Sequence, residues 1–322
     1  MPSCLGRFLA IAVCLLGWAL PCSAQSYPTR SITMIVPFAP GGPADVLARL
    51  VAQKMGDDLG QQVIVDNRPG ANTIIGAQVV AKAKPDGYTI LLAIDGTLVM
   101  NPFLYSKLSY DPFKDFAPVA LIAYIPSVFE ANVKVPVNSV KDVIELAKGK
   151  PGELMVGVST PTSQVIASLF NMMAGVNLTQ VPYKGGTTQI TGLLAGDIPL
   201  GMESANVALP LWRDGKIKIL GLTGGQRLSI APEIPTIAET LPGFDLGIWQ
   251  SVVVPAGTPK DIIARLYGSL AKVMALEEVK KRLLDAGIEP TISKSPEEFG
   301  AFIKSQAATR EKVIKAVGMK LD

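Results

Sequence analysis

The sequence predicts a two-lobed α/β protein with a cleft between its lobes. Strand-like and helix-like segments alternate along most of the 322 residues, which is typical of βαβ units. The segments fall into two sets, and the extended stretches at 117–131 and 248–254 are the expected crossings between them. Two crossings insert the second lobe into the first, so we assign 25–124 with 251–322 to lobe 1 and 125–250 to lobe 2.

Residues 1–24 have the pattern of a secretory signal peptide. Arg7 precedes an apolar run, and small residues flank a cleavage point after Ala24. The run is shorter than the roughly 18–20 residues that cross a bilayer, which disfavours an uncleaved anchor. Pro21 stands where bacterial lipoprotein signals need a small residue before the cysteine, here Cys22. We therefore expect a soluble periplasmic protein.

The first lobe begins with three strands that alternate with helices. Apolar runs predict strands at 32–37, 63–66 and 88–94. A glycine turn follows the first strand and leads into a helix, because four apolar residues recur there at helical spacing: Leu47, Leu50, Val51 and Met55. A second helix is predicted near 75–82.

The second lobe repeats this alternation. Ser139 is the expected N-cap of its first helix. The patterns then predict strands at 154–158, 178–181, 198–202 and 219–223, separated by helices at 163–174, 187–195 and 205–214. After a proline-rich loop and the second crossing, helices are predicted at 260–274, 278–286 and 297–317.

Composition excludes several function classes. The chain has no histidine, and all three cysteines lie in the leader (Cys4, Cys14 and Cys22). His or Cys metal sites, Ser-His-Asp triads and Cys-His nucleophiles are therefore excluded, and we expect no metal and no cofactor. A net charge of +3 without a basic cluster gives no basis for nucleic-acid binding. We expect a monomer.

Two strand-to-helix turns are candidate anion sites. The first runs from Pro37 to Asp45, PFAPGGPAD, and the second is 159–164, STPTSQ, in the other lobe. The amides of a first helical turn have no internal acceptor, and the helix dipole favours negative charge there. The alternative for the first is a simple tight turn in which Asp45 completes the helix start, and for the second it is ordinary N-capping by Thr162 or Ser163. Tyr183 and Lys184 follow another strand end, where Lys184 could meet an anion, although a solvated lysine at a turn is the more common case.

Seven ordered blocks resemble the Bug family, the extracytoplasmic substrate-binding proteins of tripartite tricarboxylate transporters. They cover essentially the whole mature chain: PFAPGGPADVLARLVA, VIVDNRPGAN, AKAKPDGYTILLA, NPFLYSKLSYDPFKDFAPV, VPYKGG, PTIAETLPGF and VPAGTPKDIIARL. The resemblance implies a type II periplasmic-binding-protein fold. It also implies a small ligand, commonly a carboxylate such as an amino acid, a di- or tricarboxylate or an aromatic acid, which membrane permease subunits then receive.

The resemblance also implies which positions touch the ligand. They are Phe38, Ala39, Gly41, Gly42, Ala71, Thr162, Ser163 and the region of Glu203. The two turns add Asp45, Ser159 and Thr160 as candidates, and two other strand ends add Asp95 and Tyr183. The second-lobe turn departs from the family pattern, with Pro161 in place of a glycine and Val165 in place of a histidine.

Asp95 and Glu203 also depart from the family pattern. If both face the cleft, they favour a ligand with a cationic nitrogen, such as a zwitterionic amino acid or a protonated heterocycle. Alternatively, Asp95 caps a loop and Glu203 pairs with a base. Two other functions remain open at this point: a binding module that signals to a membrane sensor kinase and, more remotely, an enzyme that uses cleft carboxylates.

Overall fold

The computed structural model describes residues 27–125 and 127–320. The predicted signal peptide lies outside the described residues. Within them the strands are β1 (Ile32–Val36), β2 (Val63–Asn67), β3 (Thr89–Ile94), β4 (Phe116–Ile125), β5 (Ser127–Asn132), β6 (Met155–Val158), β7 (Thr179–Pro182), β8 (Leu200–Ser204), β9 (Ile217–Leu222), β10 (Ile248–Pro255) and β11 (Glu289–Pro290).

The strands form two sheets, one in each lobe. The six-stranded sheet has the order β11-β4-β10-β3-β1-β2, and the five-stranded sheet has the order β7-β6-β8-β5-β9. The sequence predicts a largely parallel sheet, but only β1–β3 and β6–β8 are parallel. The crossing strands β4, β5 and β10 run antiparallel to their neighbours because the chain enters or leaves a lobe through them.

Helices cover both sheets. They are α1 (Pro43–Leu59), α2 (Ile74–Ala81), α3 (Asn101–Leu104), α4 (Val140–Gly149), α5 (Pro161–Ala174), α6 (Gly186–Ala195), α7 (Ala205–Arg213), α8 (Lys260–Ala275), α9 (Glu277–Asp285) and α10 (Pro296–Val317), with a π-helix at Gly96–Met100 and a 3₁₀ turn at Ile237–Glu239. Ser139 caps α4 as the sequence predicts, because its side chain accepts from the amide of Asp142.

Apolar side chains fill the space between helices and sheets. In lobe 1, Leu47, Val51 and Met55 of α1 are fully buried against β1 and β4. In lobe 2, Phe129 of β5 meets Phe170 of α5 edge to face, with ring centroids 4.9 Å apart. The stripe that predicts α1 from the sequence is therefore the buried face of that helix.

The crossings lie side by side, with β4 paired to β10, and Thr223 joins the first crossing to the segment just before the second. Its amide donates to the Ser127 carbonyl at 2.9 Å, and it accepts from the Leu246 amide at 2.9 Å. The last helix, α10, also joins the lobes: Phe299 packs in the lobe 1 core, and Ile314 packs in the core of lobe 2. The two lobes are thus connected both beside the crossings and along α10.

Candidate functional site

A cavity of about 340 Å³ lies between the lobes, at the ends of the central strands of lobe 1. Residues of lobe 1 and its crossings form most of its wall, and the start of α5 supplies the lobe 2 side. The lining residues are Phe38, Gly42, Ala44, Asn72, Ile94, Gly96, Met100, Leu104, Ile125, Thr160, Thr162, Ile248 and Gln250. Among the described residues that line it, none has a charged side chain.

The turn between β1 and α1 is organised by Asp45. Its carboxylate accepts from the Gly41 amide at 2.9 Å, from Arg49 Nε at 2.9 Å and from Asn67 Nδ2 at 2.9 Å. The hydrogen bond from Arg49 is the main reason that the pKa of Asp45 is lowered to about 2. Gly41 has φ +87°, a conformation that favours glycine. Asp45 therefore shapes the turn and does not line the cavity.

The start of α5 is closed by a capping box between Thr160 and Ser163. Ser163 Oγ accepts from the amides of Ser159 and Thr160 at 2.9 and 3.0 Å, and Thr160 Oγ1 accepts from the Ser163 amide at 3.1 Å. Ser163 is 5% exposed. It builds the turn from behind, and only Thr160 and Thr162 reach the cavity wall.

The two turns offer fewer free amides than the sequence suggests. The amide of Gly41 donates to Asp45, and three amides of the second turn are used within the capping box. No side chain caps α1 at Gly42. The amides of Gly42, Ala44 and Thr162 remain, because first-turn amides lack intrahelical acceptors. The two helix starts thus face one cavity, but they offer it fewer free amide donors than the sequence suggests.

A strained loop places Asn72 in the cavity wall. Ala71, Asn72 and Thr73 have φ values of +44°, +50° and +74°, although none is a glycine. Residues held in such conformations cost energy and persist only where the surroundings impose them. Ala71 lies in this loop but is not a lining residue; its neighbour Asn72 is.

Buried polar side chains hold this loop in place. Asn101 donates to the Asn72 carbonyl at 2.9 Å, and its Oδ1 accepts from Asn72 Nδ2 at 2.9 Å. Thr73 and Thr97 hydroxyls lie 2.8 Å apart, and Tyr110 donates to the Thr97 carbonyl at 2.6 Å. This network ties the strained loop to the π-helix and α3, whose residues also line the cavity.

Asp95 does not face the cavity. It is 1% exposed, and its carboxylate lies 3.7 Å from the buried guanidinium of Arg310 in α10. Burial raises the pKa of Asp95 to about 6, although the charge of Arg310 opposes this shift. The hypothesis that Asp95 meets a cationic ligand is therefore not supported by its position, and a buried base is its partner.

Glu203 also lies outside the cavity lining. Its carboxylate accepts from Ser159 Oγ at 3.3 Å and from the amide and hydroxyl of Ser204 at 2.7 and 2.9 Å. It packs so closely on Gly186 that a Cβ there would collide with it. Tyr183 packs on α6, with its ring against Gly192, and likewise does not line the cavity.

Four of the residues that the sequence predicts to touch the ligand line the cavity: Phe38, Gly42, Thr160 and Thr162. Ala39 and Gly41 lie in the same turn but not in the wall. The missed lining residues are Ala44, Asn72, Ile94, Gly96, Met100, Leu104, Ile125, Ile248 and Gln250. Gln250 could have been found from the sequence, because it is a polar residue inside a mostly apolar strand. The apolar lining residues could not, because in the sequence they look like core residues.

A family model described as "Tripartite tricarboxylate transporter family receptor" matches residues 47–319. The chain belongs to this receptor family. The resemblance to Bug proteins is confirmed by BugT of Bordetella pertussis, which is 33% identical over 321 residues that cover 98% of this chain and 97% of BugT.

Two solved structures of related proteins confirm the predicted fold class. A protein from R. palustris solved with adipate has a TM-score of 0.74 and 36% identity, with 91% of this chain and 99% of that chain covered. MatC from Rhodopseudomonas palustris with bound malate has a TM-score of 0.70 and 30% identity, with 89% and 100% covered. In the part of this receptor-family chain that the structure describes, no helix combines the length and apolar character needed to cross a membrane.

Proposed function

We propose that the protein is an extracytoplasmic solute receptor that captures a small carboxylate in the cavity between its lobes and delivers it to a tripartite tricarboxylate-type permease. The observation that carries this proposal is the convergence of two helix starts, one from each lobe, on a single cavity. Anions bind at such starts through free amides and the helix dipole, without a charged side chain.

Binding in this cavity favours closure of the lobes. A ligand that contacts Gly42 of lobe 1 and Thr162 of lobe 2 together binds the closed form more tightly than the open one, and so shifts the population towards it. The closed form is the signal that a permease can recognise. The related proteins solved with adipate and malate support a carboxylate as the class of solute.

Export follows from the predicted leader. We expect the mature protein to begin at Gln25 and to act as a periplasmic monomer, which N-terminal sequencing and the molecular mass in solution check. A strain that lacks the gene should lose uptake of the solute at low concentration. The wild-type gene should restore that uptake.

Calorimetric titration of the mature chain tests the proposal. The panel contains adipate, malate, citrate, glutamate and nicotinate, each with the amide analogue of its carboxylate, such as nicotinamide. We expect at least one carboxylate to bind with a micromolar Kd and its amide analogue to bind at least about 100-fold more weakly, because the neutral group gains little from the helix dipoles. Equal affinity for a carboxylate and its amide would contradict the proposal.

Gly42→Val links this binding to the cavity. Gly42 has ordinary extended backbone angles, and a Cβ there meets only the Ala39 carbonyl at 3.9 Å, so the variant should fold. Its side chain nevertheless occupies space beside the free amides, and binding should be lost. Gly149→Val is the matched control, since Gly149 ends α4 and nothing lies within 4 Å of an added Cβ.

A further inference from the structure

The positive potential of the cavity is enough for only one carboxylate. Each helix start contributes roughly half an elementary charge, and the described lining residues include no lysine or arginine. Asp45 in the first turn of α1 is already balanced by Arg49. Glu203 adds negative charge beside the start of α5, where Ser159 donates to it. A second or third carboxylate on the ligand would have no counter-charge.

Most of the cavity wall is apolar. Large apolar side chains come from both crossings, the turn after β1, the end of β3, the π-helix and α3: Phe38, Ile94, Met100, Leu104, Ile125 and Ile248. A charged group placed against them loses its hydration without compensation. A hydrocarbon chain or ring, by contrast, gains from the same burial. The wall therefore favours a ligand with an uncharged, apolar body.

Gln250 is one of four polar residues in this wall, together with Asn72, Thr160 and Thr162. Its side chain lies in β10, the residue is 1% exposed, and Oε1 has no hydrogen-bond partner in the part of the chain that the structure describes. Buried side-chain amides ordinarily have partners, so an unpartnered one that borders a binding cavity indicates a ligand group. The amide can present either its carbonyl or its NH₂ to that group.

Gln250 is also well separated from the start of α1. Strand β3 lies between β10 and β1, the strand that leads to α1. Two strand spacings correspond to about 10 Å. A ligand of six to eight heavy atoms in length can therefore bridge the free amides of Gly42 and the amide of Gln250.

We propose that the solute is a monocarboxylate with an apolar body and an uncharged hydrogen-bonding group, such as a hydroxyl, that meets Gln250. This inference rests on the proposed function, because the carboxylate is the group held at the helix starts. It separates the chain from its relatives solved with adipate and malate, both of which are dicarboxylates.

Two matched series of ligands test the inference on the mature chain by calorimetry. The aliphatic series is 6-hydroxyhexanoate, hexanoate and adipate; the aromatic series is 4-hydroxybenzoate, benzoate and terephthalate. In at least one series we expect the hydroxy acid to bind about 5- to 30-fold more tightly than the unsubstituted acid, the effect of one buried hydrogen bond. The dicarboxylate should bind more weakly than the hydroxy acid by tenfold or more.

Gln250→Leu assigns the hydroxyl effect to this residue. The variant should bind the hydroxy acid and the unsubstituted acid with equal affinity, because the hydroxyl that distinguishes the two acids has lost its partner. If the variant does not fold, the comparison of the two ligand series on the wild-type protein still tests the inference. Retention of the hydroxyl preference in a folded Gln250→Leu variant would overturn the role of Gln250.

The outcomes distinguish this inference from the proposed function. Tighter binding of adipate or terephthalate than of the matching hydroxy acid overturns the inference but supports a carboxylate receptor. If none of the six probes binds but citrate or malate in the wider panel does, the inference is also overturned and a carboxylate receptor is still supported. Failure of every carboxylate tested overturns both proposals.

Discussion

The Thr162 hydroxyl, at the start of α5, donates to the sulfur of Met100 in the π-helix, with the two atoms 3.8 Å apart. Thr162 belongs to lobe 2 and Met100 to lobe 1, so the contact crosses the cavity. Both residues also line it. An opening motion must break this contact, and it therefore contributes to the stability of the closed form.

Removal of this contact should weaken solute binding slightly. Thr162→Val and Met100→Leu keep the side-chain volumes, and each should lower the affinity about 2- to 5-fold because a thioether is a weak acceptor. The double variant should lose no more than the larger single effect, since both changes remove one interaction. Calorimetric affinities of the four proteins measure this coupling, and fully additive losses would show that the two residues act separately.

Asn101 should control affinity without touching the solute. Asn101→Ala removes the bonds that hold the Asn72 loop at positive φ, so the loop relaxes and its cavity wall is lost. We expect a stability loss of about 2 kcal/mol and an affinity loss of more than tenfold. Denaturant unfolding and calorimetry measure the two effects.

Asn171→Ala is the matched control for that variant. Asn171 makes two hydrogen bonds to the backbone of Leu178, at 3.0 and 2.9 Å, in lobe 2 away from the cavity. It should lose similar stability but retain affinity. If both variants lose affinity equally, the Asn101 network has no specific part in the site.

Glu130 should make the fold less stable as pH rises. It is 0% exposed in β5, and burial, with a smaller effect from the Glu203 charge, raises its pKa to about 8 from the ordinary 4.5. The folded state thus holds a proton that the unfolded state releases, so stability declines between about pH 4.5 and 8. Glu130→Gln should raise the melting temperature at pH 8 more than at pH 5.

The exposed Glu145 of α4 provides a control for this measurement, because its side chain is 67% exposed. Glu145→Gln should shift the melting temperature by a similar small amount at both pH values. A Glu130→Gln variant that behaves in the same way would mean that Glu130 is ionised in the folded protein at neutral pH.

The Asp95–Arg310 pair should be costly to break. Arg310→Met leaves the buried Asp95 carboxylate without its counter-charge, and loss of one partner of such a pair costs about 3 kcal/mol. The loss should be larger at pH 8 than at pH 5, because burial already raises the pKa of Asp95 to about 6 and protonation at low pH removes the unpaired charge.

Lys315→Met is a suitable comparison on the same helix. Lys315 pairs with Glu311 on the exposed face of α10, and its side chain is 72% exposed. Its replacement should change the unfolding free energy by less than about 0.5 kcal/mol at either pH. Denaturant titration at pH 5 and 8 measures both variants, and equal losses would contradict a special role for the buried pair.

The sequence predicts most strands and helices because their apolar patterns are local. The stripe of α1 and the cap Ser139 are properties of neighbouring residues, and both take the predicted form. The π-helix at Gly96–Met100 has no such pattern. The loop at Ala71 contradicts local preference altogether, because non-glycine residues avoid positive φ unless tertiary contacts impose it.

The site is less predictable than the fold. The glycine turn of α1 and the turn of α5 are recognisable because free amides follow from helix starts. The sequence leaves open whether Asp45 and Ser163 accept some of these amides, and the structure shows that they do. The partner of Asp95 is on the last helix, and no local pattern connects Asp95 with Arg310. The Asp95 carboxylate, which the sequence leaves available for a ligand, is thus already paired in the fold.

The compound that the protein retains during purification tests the central claim most directly. Mass spectrometry of the material released on denaturation should identify a carboxylate in near-equal amount to the wild-type protein, and none from Gly42→Val purified in parallel. A retained compound without a carboxylate, or equal amounts from the two proteins, would contradict binding at the helix starts.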